Sequence, residues 1–442
     1  MKFKKSGQIL LALFVSLGLG FGLTSCANDY TVAYFYVTGG QYNQIGAFKI
    51  ANNTGNLSGI PGSPFGSSGT NPIRAIVSTT GRYLYVLNAG QATTPDASGN
   101  FTYSGANISV YSIGGNGVLA FQQSYQSQGF GTIRIAFSTT GSFLYVLDDY
   151  APSQPISGGG YTLGSNTPQA GLACQDSSGI YHPTGDITAF SVDGNTGRLS
   201  LITNNQLQNP SGGQLTYFPV GCGPVDFKVT GAYVLTADSS DPLTGNKNTV
   251  YPYSYNSSNG QLTTTQNTEF VTGAASISAI GSTAAQSFIY ILDPVGDNIF
   301  YYTVGTNGLL QAVNGSPTSN SQSVSGNPIQ LTSDSKSKFL YVANAGPSSG
   351  IGQPSSDISA YTIAANGVLA AVGGAPFGTG SGPQCILEDP SNQYLYTADY
   401  NTNTVTGHVL DPNSGVLTNM RNQTSYPTIG HPTWCVASGH TD

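Results

Sequence analysis

The chain has 442 residues and a net charge of −7, and only 7% of its residues are charged, against roughly 25% in an ordinary soluble domain. So few lysines and glutamates argue against a mainly helical protein, because these residues normally cover the solvent-facing side of helices. Frequent tyrosine, valine and threonine among 58 glycines favour an all-β fold. The 13 basic residues form no run beyond the first few positions, which excludes nucleic-acid binding.

Residues 1–25 have the pattern of a bacterial signal peptide. Three lysines precede an apolar stretch, 9–21, that is too short to span a membrane. The segment ends Leu-Thr-Ser-Cys at Cys26 and resembles the lipobox of bacterial lipoproteins, which implies a lipid on Cys26. Since Ala27 and not aspartate follows, the resemblance implies the outer membrane of the cell envelope. The alternative is ordinary secretory cleavage after Ala27, which would release the protein.

A short tether at 26–33 leads into a single domain, 34–442, in which one unit is repeated seven times. Each unit has a strand ending in Tyr-Val or a similar pair, with Asn or Asp three residues after the tyrosine. Each also has a turn with Asn, then Gly, then Leu, and such turns predict hairpins because Asn and Gly tolerate positive φ. The tyrosine positions are Tyr36, Tyr85, Tyr145, Leu235, Tyr290, Tyr341 and Tyr396, and the turn glycines are Gly55, Gly117, Gly197, Gly260, Gly308, Gly367 and Gly415.

Two further strands complete the unit. One carries an aromatic residue between the two signals, and the other, often opened by proline, precedes the tyrosine strand. The first unit lacks this preceding strand, whereas residues 431–436 at the end of the chain supply one more. The pattern predicts an all-β, seven-bladed β-propeller with four antiparallel strands per blade, closed by the C-terminal strand in blade 1. Closure leaves no long open edge, and we expect a monomer.

The Tyr-Val-x-Asn strand, the Gly-x-Leu turn and the seven copies resemble the lactonase-type propellers, which include the bacterial 6-phosphogluconolactonase of the propeller type and the fungal carboxymuconate-cyclising enzyme. They are also similar to the Tyr-Val-Thr-Asn repeat proteins of cell surfaces. The resemblance covers the whole mature chain and implies the fold. It is weaker for lactone hydrolysis, because Arg134 or Asp226 stands where the family has inner-strand histidines.

Loop lengths differ between the two faces of the predicted disc. With strands lettered A to D from the channel outward, the C–D turns are short in every unit, whereas B–C and D–A loops vary and share one face. Long loops in compact domains are often functional, so we expect the B–C/D–A face to be the binding face. The longest insertion, 149–185, is either a surface loop or a lid over the channel mouth.

The cysteines suggest two disulfides in an oxidising compartment. If Cys26 carries a lipid, four cysteines remain and three pairings are open. Cys174 and Cys222 lie in neighbouring loops of one face and form the favoured pair. Cys385 and Cys435 would then join the inner strands of blades 7 and 1, although the positions of these two cysteines along their strands differ by one residue.

The inner strands place a polar set at one level of the channel. Alternation with apolar neighbours means that these side chains face one way, most simply into the channel. Two arginines and an aspartate at one level suggest a site for an anionic or polyhydroxylated ligand, while the alternative is an ion-pair ring that fills the channel. Counted two residues after the proline position, the set is Arg74, Arg134, Asp226, Ser278, Gln330, Cys385 and Trp434. The expected ligand-binding residues are Arg74, Arg134, Asp226, Gln330 and Trp434.

Catalysis would need a base near this set, and the weak candidates are His431, His182 and Asp226. No motif for a metal or a cofactor is present, so none is expected. Two hypotheses remain: a lipid-anchored binding or scaffold propeller for a small metabolite, a glycan or a protein partner, and a lactonase-like hydrolase with an altered site.

Overall fold

The computed structural model of the chain describes residues 30–92, 103–155, 161–163, 174–175, 181–182, 184–207, 213–239, 248–265, 270–320, 326–346 and 356–439. The regular elements in these ranges are all β-strands. None of the described segments forms a helix of the length and hydropathy needed to cross a membrane. Seven antiparallel sheets of four or five strands make up the body, which confirms the predicted seven-bladed β-propeller.

Each sheet is one blade, and its strands A to D run from the channel outward. The A strands of blades 1 to 7 are Pro432–Gly439, Pro72–Val77, Phe130–Phe137, Pro224–Thr230, Ala279–Ser282, Pro328–Ser333 and Pro383–Glu388. The B strands are Thr31–Gly39, Tyr83–Asn88, Phe143–Tyr150, Tyr233–Asp238, Ile289–Asp293, Phe339–Asn344 and Tyr394–Asp399. The C strands are Gln44–Ala51, Asn107–Ile113, Asp186–Val192, Thr249–Tyr255, Asn298–Val304, Asp357–Ile363 and Thr404–Leu410. The D strands are Leu57–Gly59, Leu119–Tyr125, Leu199–Leu201, Leu262–Thr264, Leu310–Ala312, Leu369–Ala371 and Leu417–Asn419.

Short strands supplement this pattern. A two- or three-residue strand pairs with strand C in every blade except blade 2. These strands are Phe65–Gly66, Phe218–Pro219, Phe270–Val271, Thr318–Ser319, Phe377–Gly378 and Ser425–Pro427. Three small hairpins lie in the loops between strands B and C, namely Gln91–Ala92 with Tyr103–Ser104, Ser153–Pro155 with Tyr161–Leu163, and Cys174–Gln175 with Tyr181–His182.

The ring is closed by the two ends of the described chain. Strand A of blade 1 comes from the C-terminal end and pairs antiparallel with strand B from the N-terminal end, with Tyr36 opposite Val436. Each A strand contacts the A strands of both neighbouring blades around the axis. Cys385 in blade 7 and Cys435 in blade 1 form a disulfide across this closure, with Cα atoms 5.7 Å apart. A disulfide predicted from the sequence is thereby confirmed.

Cys222 is also disulfide-bonded. The side chain of its expected partner, Cys174, lies outside the described residues, so the Cys174–Cys222 pair stays a prediction. Cys26 and its lipid likewise fall outside the described part of the chain.

The two repeated sequence signals meet between neighbouring blades. A buried tyrosine of strand B donates its hydroxyl to the carbonyl of the turn glycine in the next blade, as Tyr85 does to Gly197 at 2.9 Å. Tyr396 of blade 7 reaches Gly55 of blade 1 at 2.6 Å, so the series also crosses the chain ends. The other pairs are Tyr36–Gly117, Tyr145–Gly260, Tyr290–Gly367 and Tyr341–Gly415, at 2.9 to 3.4 Å.

Blade 4 is the exception because Leu235 occupies the tyrosine position and has no hydroxyl. Leu235 is fully buried, so the apolar part of the contact is kept. At this junction Tyr233, two residues earlier on the same strand, donates its hydroxyl to the carbonyl of Thr306 in blade 5.

The turn glycines are required by two independent constraints. Gly197 has φ +69°, a left-handed conformation that other residues adopt only with strain. A Cβ on Gly197 would lie 2.5 Å from Cδ1 of Tyr83 in the preceding blade. The hydrogen bond to Tyr85 therefore depends on a backbone position that only glycine fits.

We expect Gly197→Ala to lower the free energy of unfolding by about 2 kcal/mol or more, because it adds left-handed strain to a steric clash. Gly194→Ala in the same turn is the matched control, since Gly194 has no positive φ and no atom within 4 Å of a Cβ. Urea denaturation of both variants beside the parent protein tests this. Equal losses in the two variants would contradict the role assigned to the turn glycine.

The Cys385–Cys435 disulfide should stabilise ring closure by about 2–4 kcal/mol, since it links residues 50 positions apart. The double variant Cys385→Ala, Cys435→Ala should therefore melt below the parent under non-reducing conditions. Calorimetry without reductant keeps the disulfide of Cys222 intact in both proteins. An unchanged melting temperature would mean that pairing of the terminal strands closes the ring without help from the disulfide.

Candidate functional site

A cavity of about 410 Å³ lies at the centre of the ring. Its wall is built from inner strands of blades 1 to 6, and it includes all five residues expected to bind ligand: Arg74, Arg134, Asp226, Gln330 and Trp434. The cavity continues to the A–B turn of blade 5, where Ala284 is exposed. We call the side of the A–B and C–D turns the turn face and the side of the B–C and D–A loops the loop face.

This cavity reaches the turn face, whereas the loop lengths favoured the loop face for binding. At the loop end of the inner strands, hydroxyls bridge neighbouring blades. Thr433 donates to the carbonyl of Pro72 at 2.6 Å, and Ser278 donates to the carbonyl of Pro328 at 2.7 Å. Most of the 149–185 insertion lies outside the described residues, so its role at the loop face stays a prediction.

Arg134 and Asp226 form an ion pair, with Nε of the arginine 2.8 Å from Oδ1 of the aspartate. The carboxylate is fully engaged: Oδ1 also accepts the backbone N–H of Phe227 at 2.9 Å, and Oδ2 accepts that of Ile280 at 3.0 Å. Asp226 therefore joins blades 3, 4 and 5, and its oxygens are occupied by donors. This arrangement makes Asp226 a structural anion more than a general base.

Arg74 sits in a different environment. Its guanidinium carbon lies 4.2 Å from the ring centroid of Trp434, a cation–π contact. Its Nη1 donates to the carbonyl of Ile73 at 2.7 Å, while its Nε is buried without an acceptor among the described atoms. Arg134–Asp226 is the single ion pair within the described ranges, so Arg74 has no carboxylate partner there.

The cavity holds more positive than negative charge. Lys228 lines it beside Arg74, Arg134 and the single carboxylate of Asp226. Burial lowers the pKa of Arg74 well below its usual value, the nearby charge of Arg134 lowers it further, and Asp226 offsets part of this. Burial also lowers the pKa of Lys228. An anion in the cavity would lower the cost of keeping these two partly buried groups charged.

Sequence reasoning missed Lys228 and the hydroxyl-bearing part of the wall. Ser282 is the last residue of the inner strand of blade 5. Lys228 and Thr332 stand on their inner strands two residues beyond Asp226 and Gln330. Continuing the alternation toward the turn face would have found them. Thr283, Gln286 and Ser333 complete the polar wall near the turns.

Blade 5 departs from the predicted alignment. In the neighbouring blades a bulge follows the proline position, as between Pro328 and Gln330. Strand A of blade 5 begins at Ala279, which lies opposite Leu292 as Gln330 lies opposite Ala343 in blade 6. Ser278, predicted to face the channel, therefore lies before the strand and is absent from the cavity wall. Cys385 is likewise absent from the wall because it is buried and disulfide-bonded.

His431, the histidine candidate whose side chain the structure describes, does not reach the cavity wall. His431 lies in the loop before strand A of blade 1, with φ +51°, and its ring stacks on Tyr400 with centroids 4.4 Å apart. It is not among the residues that line the cavity. The side chain of His182 lies outside the described residues. The described part of the site thus contains cations and hydrogen-bonding groups, with no histidine among them.

Comparison with known proteins places the fold among lactonase-type propellers. A family model described as "Lactonase, 7-bladed beta-propeller" matches residues 309–437, which is less than half of the chain. A comparison with curated protein sequences gives no match.

Solved structures agree over nearly the whole chain. The periplasmic gluconolactonase PpgL of Pseudomonas aeruginosa aligns with a TM-score of 0.65 at 15% identity and covers 93% of this chain and 100% of its own. A protein of Bacteroides uniformis provisionally named a 6-phosphogluconolactonase aligns with a TM-score of 0.63 at 14% identity and covers 92% and 100%. A similarly named protein of Bacteroides fragilis gives 0.62 at 16% identity, with 93% and 99% covered. At these identities the likeness shows the shared seven-bladed fold.

Proposed function

We propose that this chain is an exported, lipid-anchored propeller that binds a small anionic ligand with hydroxyl groups in its channel cavity. The observation that supports this most directly is the charge of the cavity wall. Arg74, Arg134 and Lys228 face one carboxylate, and the Nε of Arg74 is buried with no acceptor in the described part of the chain. A protein with a net charge of −7 thus concentrates three of its 13 basic residues at one cavity.

The size and polarity of the cavity suit a small metabolite. A volume of about 410 Å³ falls within the roughly 300–1,000 Å³ typical of small-molecule sites. Serine, threonine and glutamine side chains line the end near the turn face, where they can pair with ligand hydroxyls. Glycans and protein partners, the other classes expected from the sequence, would use the larger loop face.

The proposed lipid anchor would set the orientation of the cavity relative to the membrane. Tyr30, the first described residue, lies at the turn face, where its carbonyl accepts the N–H of Asn52 in the C–D turn of blade 1. Four residues from Cys26 to Tyr30 span about 14 Å when extended. A lipid on Cys26 would therefore hold the turn face, and with it the cavity mouth, toward the membrane.

Lactone hydrolysis is the second candidate, and the family match at residues 309–437 favours it. The described cavity wall offers cations that could stabilise an oxyanion. Its carboxylate, Asp226, is already engaged by three donors. Hydrolysis by this site would need a base from the undescribed part of the chain or a water held by the polar wall.

Trp434 is the only tryptophan of the chain and lines the cavity, so its fluorescence should report binding directly. We expect a sugar acid, a phosphosugar or a dicarboxylate to change this fluorescence in the mature protein. Arg74→Gln and Lys228→Gln should each weaken binding by about 10-fold or more, the usual cost of losing a charge-assisted hydrogen bond.

Arg198→Gln is the control for this titration, since Arg198 is exposed and far from the cavity wall. Binding that is equally affected by the control, or that ignores both cavity variants, would contradict the proposed site. Sugar lactones belong in the same titration with product analysis, because their consumption would favour the hydrolase over the binding protein.

We expect Cys26→Ser to move the protein from the membrane fraction to the soluble fraction of a Gram-negative host. The parent should incorporate labelled fatty acid, and the variant should not. Alanine substitution of Ser25 keeps the cysteine and serves as the control. A parent protein that stays unlabelled and begins at residue 28 would show secretory cleavage after Ala27 and overturn the anchor.

A further inference from the structure

Two aspartates face each other in the interior of blade 3. Asp148 at the end of strand B and Asp186 at the start of strand C are direct cross-strand partners, and both are fully buried. The Oδ2 of Asp148 accepts from Ser127 Oγ, from the N–H of Gly129 at 3.3 Å and from Thr188 Oγ1 at 3.4 Å. The Oδ1 atoms of both aspartates are buried without a described hydrogen-bond partner.

Two other blades have an amide donor at this position, while blades 4, 5 and 7 pair an aspartate with threonine or asparagine and never with a second carboxyl group. In blade 6 the equivalent pair is Asn344 and Asp357, and the amide Nδ2 of Asn344 donates to Asp357 Oδ1 at 2.7 Å. In blade 2 the pair is Asn88 and Asn107, again with an amide donor at 2.8 Å. Blade 3 replaces the amide by a second carboxyl group, which has a hydrogen to donate only when it is protonated.

We propose that Asp148 and Asp186 share one proton, which joins strands B and C of blade 3 and holds the segment 127–129 against them. The proton stands in for the amide hydrogen of Asn344 in blade 6. The held segment leads directly into Phe130–Phe137, the inner strand that carries Arg134. Thr188 Oγ1 also accepts the N–H of Gln128 at 2.8 Å, so the segment, both strands and the carboxyl pair form one network.

The surroundings favour protonation. Burial raises the pKa of Asp148 to about 7 and raises that of Asp186 well above its ordinary value, with the negative charge of Asp148 adding to the shift. The other titratable groups facing the pair are Asp149 on strand B and Tyr217 in the loop before Phe218–Pro219. Within the described ranges no lysine, arginine or histidine acts on either carboxyl. Two carboxylates so placed repel each other when both ionise.

Because the proposed contact between Asp148 and Asp186 requires a proton, it should weaken at alkaline pH. Both pKa values are raised on folding, so the stabilisation is complete below the ordinary carboxyl pKa of about 4 and is lost as the pH rises. Asp148 ionises first, at about 7, and Asp186 gives up the remaining shared proton at higher pH. We expect the melting temperature of the mature protein to fall between pH 5.5 and 8.5. The fall should be smaller by about 3 °C in Asp148→Asn, which recreates the amide–carboxylate pair of blade 6.

The reverse exchange is the matched control. Asn344→Asp gives blade 6 a carboxyl pair and should steepen the fall by a similar amount. Parallel pH profiles for the parent and Asp148→Asn, or an unchanged profile for Asn344→Asp, would overturn the proposal.

Infrared spectroscopy reports the proton itself and does not depend on a change in stability. The infrared difference spectrum of parent minus Asp148→Asn at pH 7 should contain the carbonyl band of a protonated carboxylic acid, and its absence would overturn the proposal. A rise in the parent's melting temperature with added calcium at pH 8.5, absent in Asp148→Asn, would assign the pair to a cation and overturn it as well.

Discussion

Six of the seven blades are joined to the next by a buried hydrogen bond from a tyrosine hydroxyl to a turn carbonyl, and the ring depends on this contact. A four-stranded sheet cannot cover its own two faces, so it is stable only between neighbours. Tyr85 places its ring in the core between blades 2 and 3 and its hydroxyl on Gly197. One side chain thus supplies apolar burial and also satisfies a carbonyl that would be costly to bury unpaired. Repeating the contact from Tyr396 to Gly55 makes the closure between the chain ends chemically equivalent to a junction within the chain.

The sequence was informative about the fold because this contact is made of local, repeated signals. The tyrosine strands and glycine turns could be counted, and the orphan strand at 431–436 located the closure. What the sequence could not provide was the link between the two signals, since Tyr85 and Gly197 are 112 positions apart. Leu235 illustrates the limit: it still fills the core but donates no hydrogen bond, so blade 4 keeps only the outer contact from Tyr233 to Thr306. Blade 2 makes that outer contact from Tyr83 in addition to the one from Tyr85.

The sequence predicted one level of channel-facing residues in the cavity wall and missed the residues nearer the turn face. Arg74, Arg134, Asp226, Gln330 and Trp434 do line one cavity, because alternation along a strand is a strong rule. Ser278 was misplaced by one residue because blade 5 has no proline to mark the start of its inner strand, and Ala279 stands at the level of Gln330. The face on which the cavity opens was missed for another reason. Loop lengths show where the chain has gained residues, but they do not show where short side chains such as Ser282 and Thr332 leave space on the turn face.

Charge is scarce in this chain, so the place of each buried charge carries information. An acidic protein that places Arg74 and Lys228, both partly buried, at one cavity loses stability unless a negative charge lies near them. Asp226 is already held by Arg134. The same reasoning applies to Asp148 and Asp186, where two like charges meet and a proton resolves the conflict. The two places are also connected, since the strand that begins after segment 127–129 carries Arg134. Loss of the proton in blade 3 would therefore affect the position of Arg134, which Asp226 holds by an ion pair.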